Sequence, residues 1–170
     1  LLAAGGRKFA TLDEAREFTE TLPFHLARTY GGHSSCVELE LSPPSATTHH
    51  YVLCDLGSGV RAFGNTVMAR HGFQTPNVFH VFMSHLHWDH LMGFPFFFFF
   101  YFPGNRIICY AVNHHPLEYL RHLMTGPTFF PIDPDRIPAQ LEFVTLQEGE
   151  PVKVGPLTVT NIHLHHPGIA

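Results

Sequence analysis

Apolar and polar residues alternate along the chain in short segments whose periods differ. In TLDEAREFTETL (11–22), Leu12, Ala15, Phe18 and Leu22 recur near one helical face, and Glu14 stands at capping-box spacing from Thr11. This predicts an amphipathic helix that ends before Pro23. CVELEL (36–41) and YVLCDL (51–56) are rich in strand-forming residues, and the SPPSATTHH between them reads as an exposed connection. The pair predicts an antiparallel hairpin with His49 and His50 solvated in its loop. DLGSG (55–59) then turns the chain into VRAFGNTVMARHG, a helix with Gly72 as its stop.

NVFHVFMSH (77–85) is apolar nearly throughout, as a central strand buried on both faces requires. RIICYAV (106–112) predicts the next strand, and PLEYLRHLM (116–124) a short helix with proline at its first position. TGPTFFPIDPDRIP is a proline-rich loop, after which LEFVTL (141–146), PVKVG (151–155) and LTVTNIHLHH (157–166) predict three further strands. Strands and helices alternate irregularly, which points to an α/β sandwich in one domain over residues 1–170 rather than a regular doubly wound fold.

Composition narrows the function classes. The net charge is -4 with no Lys/Arg run, so the electrostatic footprint of a nucleic-acid binder is missing. The three cysteines are far apart and form no CxxC pair, which argues against a disulfide framework and a thiolate zinc site and suits a reducing cytoplasm. The apolar run FPFFFFFYF (94–102) is about half the length of a membrane-spanning helix and contains Pro95, so no membrane association is expected. Histidine, 15 residues of 170, is the outlier.

Three of those histidines fall in HLHWDH (85–90), just past the end of the predicted central strand. A pattern of this kind is expected in roughly three of a thousand shuffles of the chain, so chance is a poor explanation. Neutral imidazole and carboxylate are zinc ligands, and a catalytic zinc needs about three of them with a position left for water. If the chain leaves the strand extended, His85 and His87 project to one side and can reach one ion. If it then turns into a helix, Asp89 and His90 point elsewhere and can hold a second ion.

SHLHWDHLMGFPFF resembles the HxHxDH motif and following segment of the metallo-β-lactamase-fold hydrolases, a superfamily that includes ribonuclease Z, glyoxalase II and cyclic-nucleotide phosphodiesterase-like enzymes. YGGHSSCVEL (30–39), LCDLGSGVRAFG (53–64) and HHPG (165–168) resemble segments of the phosphodiesterase-like branch. The resemblance implies an αββα sandwich, incomplete at both ends: the family's first strand would precede Leu1, and a bridging Asp and a final His would follow the HPG motif. It further implies that His85, His87 and His166 hold one metal ion and that Asp89 and His90 begin the site of a second. A shift of one residue would put His163 or His165 in place of His166. Asp89 is also assigned a catalytic part, and Asp55 is implied to orient a ligand histidine from behind.

The cofactors implied are two divalent ions, zinc first and manganese as the alternative. His87, where the di-iron relatives resemble HxExD, favours the zinc hydrolases. The implied reaction is hydrolysis of a small-molecule or nucleotide phosphodiester by water activated between the ions, with no serine or cysteine nucleophile. A tRNA 3'-processing endoribonuclease is the alternative enzyme, although the charge gives it no support, and a non-catalytic metal-binding module is the alternative class. His114, His115 and His122 are read as surface residues, Cys54 and Cys109 as inert thiols, and Trp88 as packing or a pocket wall. The phenylalanine run is open between core filling, a substrate wall and an oligomer face such as a homodimer.

Overall fold

The computed structural model describes residues 7–23, 27, 32–41, 48–72, 75–112, 116–124 and 132–166. Tyr30, Gly31, His114, His115, Pro167 and Gly168 therefore lie outside the described residues. Backbone contacts divide the chain into two units, Leu1–Gly32 and His33–Ala170.

The first unit holds helix α1 (Leu12–Glu20). Thr11 caps it by accepting the Glu14 N–H at 3.2 Å, and the Glu14 carboxylate reaches back to the N–H of Ala10, one residue before the cap. The helix buries no residue.

The second unit is a mixed α/β structure. Its five-stranded sheet runs β1 (Val37–Leu39), β2 (His49–Cys54), β3 (Asn77–Phe82), β4 (Arg106–Ala111) and β5 (Gln140–Thr145), each beside its sequence neighbour. β1 is antiparallel to β2, as expected of the hairpin, and the remaining pairs are parallel. Parallel neighbours need crossovers. α2 (Gly59–His71) lies between β2 and β3; α3 (Trp88–Leu91) and two 3₁₀ turns follow β3; α4 (Pro116–Met124) follows β4. A 3₁₀ turn (Pro134–Arg136) precedes β5, and a separate hairpin, β6 (Pro151–Val154) with β7 (Leu157–Thr160), completes the described elements.

Side-chain alternation gives the sheet two apolar faces. One presents Leu53, Phe79, Val81, Ile107 and Cys109 to Val60 and Val67 of α2, to the phenylalanine turns and to Leu120 and Met124 of α4. The other presents Val52, Phe82, Ile108 and Tyr110 to Val154, Val152 and Val159 of the hairpin. The sheet is thus sandwiched between helices and a second, smaller sheet. Phe94, Phe97, Phe99 and Phe100 are fully buried, so the run fills the core, whereas Phe96 is 57 % exposed.

Several boundaries differ from expectation, β2 ending at Cys54 rather than Leu56 and β3 at Phe82 rather than His85. His49 and His50 are not loop residues: they open β2, paired with Asn77 and Val78, and His49 stacks on His71 with ring centroids 3.8 Å apart. The parallel ladder with β3 satisfies their backbone groups and so extends the strand upstream. Downstream, β7 ends at Thr160, and residues 161–166 leave the hairpin without a strand partner. Among the described residues no helix is long and apolar enough to cross a membrane.

Candidate metal centre

β3 is the middle strand of the sheet, and its C-terminal end carries the site. The ladder continues one residue past it, through the Met83 N–H to the Tyr110 carbonyl at 2.8 Å, and the chain then runs through Ser84 and His85 to the start of α3. His87 is extended (φ -68°, ψ 152°) and caps α3, so the turn into a helix falls between His87 and Asp89. Beside it, β2 is followed by Asp55, whose N–H donates to the Phe82 carbonyl at 3.0 Å. Asp55 takes φ +65°, a left-handed conformation that breaks the strand and starts the turn into α2.

That turn is pressed against α3. The Leu56 N–H donates to the His90 carbonyl at 2.9 Å, and the Gly93 N–H donates to the Leu56 carbonyl at 2.9 Å. A Cβ at Gly57 would come within 2.6 Å of the Asp89 carbonyl oxygen, so the backbone approach itself requires glycine.

His85, His87 and His166 converge, with one ring nitrogen of each within 4.8 Å of the others. Their ring centroids are 4.5 Å (His85–His87), 4.6 Å (His85–His166) and 5.0 Å (His87–His166) apart. Three nitrogens around a tetrahedral zinc are about 3.4 Å apart, so a set within 4.8 Å is near the spacing that one ion would require. The donor chemistry also fits, because neutral imidazole is the form that binds and burial, then the His90, His87 and His166 rings, hold the His85 pKa below its ordinary value. Of the three downstream histidines it is His166 that joins the group, while the His163 backbone N–H donates to Glu148 at 3.2 Å.

His90 packs on His85, with ring centroids 4.1 Å apart, without joining the three-nitrogen group, and Asp89 lies next to it. The His90 Nδ1–H donates to Asp55 Oδ2 at 2.8 Å, and its Nε2 lies 3.4 Å from Asp89 Oδ2. Asp55 is 4 % exposed, so this carboxylate sits behind the histidine and away from solvent. Among the described residues no third His, Cys, Asp or Glu joins Asp89 and His90 as a separate group.

Two features were not anticipated from the motif. Ser84, one residue ahead of it, places its Oγ 2.9 Å from both Asp55 oxygens and 3.0 Å from His85 Nδ1. An apolar cavity of about 430 Å³, lined by Phe82, Met83, Leu86, Val112 and Val159, opens beside His85 and His166. Trp88 is 57 % exposed and neither packs in the core nor lines that cavity. Cys109 is buried, its pKa pushed up to about 12 by burial, and burial also raises Cys54; such thiols are poor nucleophiles. Comparison with family models, with curated proteins and with solved structures gives no match to this chain.

Proposed function

We propose that this chain carries the metal centre of a hydrolase of the metallo-β-lactamase fold, acting on a phosphodiester. The observation that supports this reading most is the convergence of His85, His87 and His166 at the end of the central strand, with His90 anchored on Asp55 beside them. The layering of helices, five-stranded sheet and second sheet is compatible with an αββα sandwich.

In this reading His85, His87 and His166 hold one divalent ion, and Asp89 with His90 Nε2 begins the ligand set of another. When bound, such ions lower the pKa of water and polarise the ester oxygen. Asp55 accepts the Nδ1–H of His90 and so turns Nε2 toward Asp89. Asp89, its side chain 65 % exposed at the start of α3, would offer a carboxylate to take the proton of the attacking water. The three free cysteines suit a cytoplasmic location.

A second reading is favoured by the pair Asp89 and His90 having no third ligand among the described residues: a module that binds one ion and does not turn over. Titration calorimetry of the metal-free chain with zinc separates the two, together with hydrolysis of bis(p-nitrophenyl) phosphate in zinc or manganese. The hydrolase reading expects tight zinc binding and turnover, both lost in His85→Ala and His166→Ala. Tight binding without turnover supports the module, and no binding of any divalent ion sinks both.

A further inference from the structure

The hydrogen-bond bookkeeping around Asp55 decides which nitrogen each motif histidine presents. An ionised carboxylate can only accept, a serine hydroxyl has one proton to give, and a neutral imidazole has one N–H and one lone pair. Asp55 Oδ1 takes the Ser84 backbone N–H at 2.8 Å, and Asp55 Oδ2 takes the His90 Nδ1–H at 2.8 Å and the Ser35 hydroxyl at 3.2 Å. The Ser84 hydroxyl is 2.9 Å from both oxygens, so its proton goes to the carboxylate. Its oxygen is then left as an acceptor. Two ring nitrogens lie near it, His85 Nδ1 at 3.0 Å and His90 Nδ1 at 3.3 Å. The His90 proton has the shorter bond to Asp55, which leaves the Ser84 lone pair to the His85 Nδ1–H.

We propose that Ser84 is a positioning residue that relays the carboxylate of Asp55 to His85, holding His85 in its Nδ1–H tautomer so that Nε2 carries the lone pair for a metal ion. Asp55 then sets the tautomer of two motif histidines at once, His90 directly and His85 through the serine hydroxyl. The reach is built into the strands: Asp55 follows β2, Ser84 follows β3, and the parallel pairing of those strands brings them side by side. Contacts of this kind behind a ligand histidine are worth about tenfold to a hundredfold in metal affinity. The metal-affinity part of the inference rests on the proposed function, whereas the tautomer part concerns the metal-free chain alone.

Nitrogen-15 NMR of the histidine rings in the metal-free protein reads the tautomer directly. In the wild type, His85 is expected with a protonated Nδ1 and a lone-pair Nε2; finding it as the Nε2–H tautomer overturns the proposal without any variant. Ser84→Ala keeps the backbone N–H on Asp55 and is expected to release His85 into a mixture of tautomers and to weaken zinc about tenfold. Ser84→Thr, which retains the hydroxyl, is expected to restore both. Should Ser84→Ala leave the His85 tautomer unchanged, the serine relay is wrong, even if zinc binds. Should the wild type bind no divalent ion while Ser84→Ala still shifts the tautomer, the relay stands and the hydrolase reading falls.

Discussion

Asp55 combines a left-handed backbone, φ +65°, with a buried carboxylate that accepts from Ser84, Ser35 and His90. The two properties are separable by mutation. Asn tolerates positive φ better than Ala does and keeps one carbonyl oxygen, whereas Ala loses both the conformation and the acceptor. Asp55→Ala is expected to cost about 2–4 kcal/mol, from strain of about 1 kcal/mol and from donors left unpaired at about 1–3 kcal/mol. Asp55→Asn is expected to recover part of that stability in urea denaturation but little of the zinc affinity in calorimetry. Equal losses of stability in the two variants would remove the backbone from the explanation. At this scale the motif was legible because imidazole and carboxylate at those spacings carry their chemistry in their identity. Ser84 was not, since a serine beside a motif has no period or composition to mark it. The backbone of Asp55 was also hidden, because an aspartate before Gly57 reads as a turn residue whatever its φ.

Among the elements, the phenylalanine run shows how periodicity fails as a guide. A stretch that is apolar at nearly every position has no face to read, and core, substrate wall and oligomer surface look alike in it. The structure folds it as two 3₁₀ turns, Phe94–Phe96 and Phe98–Tyr101, with Phe97 extended between them. Phe94, Phe97, Phe99 and Phe100 are fully buried, and Phe79 of β3 meets Phe97 edge to face with centroids 4.9 Å apart. Phe96, at the end of the first turn, faces outward. Phe97→Ala is therefore expected to cost about 3–5 kcal/mol, and Phe96→Ser to stay within about 0.5 kcal/mol of wild type, both by urea denaturation. Similar costs at the two positions would mean that Phe96 is covered in solution, as an oligomer face requires. The strand boundaries missed in the sequence have a related cause. His49 and His50 read as polar loop residues, yet a parallel partner supplied by β3 draws them into β2.

For the molecule as a whole, strand identities could be read from apolar runs, but their order could not, because it is set by crossovers that bury α2 and the phenylalanine turns against one face. The opposite face carries a consequence for stability. Beyond the part covered by the β6–β7 hairpin, it bears a polar row drawn from four strands. His50 of β2 lies 3.4 Å from His80 of β3, His80 lies 3.0 Å from the Tyr110 hydroxyl of β4, and Arg106 of β4 pairs bidentately with Glu142 of β5 at 2.6 and 2.7 Å. Burial, then His50 and Arg106, lowers the His80 pKa from its ordinary 6.5 to about 4. Between those two values the unfolded chain takes up a proton at His80 and the folded chain does not. Unfolding is therefore favoured progressively as pH falls from about 6.5 toward 4, and the loss is complete below the folded pKa. The full shift would correspond to about 3 kcal/mol, which solvent screening of this half-buried ring reduces to on the order of 1–2 kcal/mol. His71, also lowered by burial and by His49 and Arg70, adds in the same direction. His80→Gln removes the titrating group while keeping a hydrogen-bonding side chain for Tyr110. Urea denaturation at pH 7 and pH 4.5 is expected to show a smaller drop in stability for His80→Gln than for the wild type, with the difference attributable to the strand-spanning row. An equal drop in the two proteins would show that the ring titrates near its ordinary value, and that the acid sensitivity of the fold is set elsewhere.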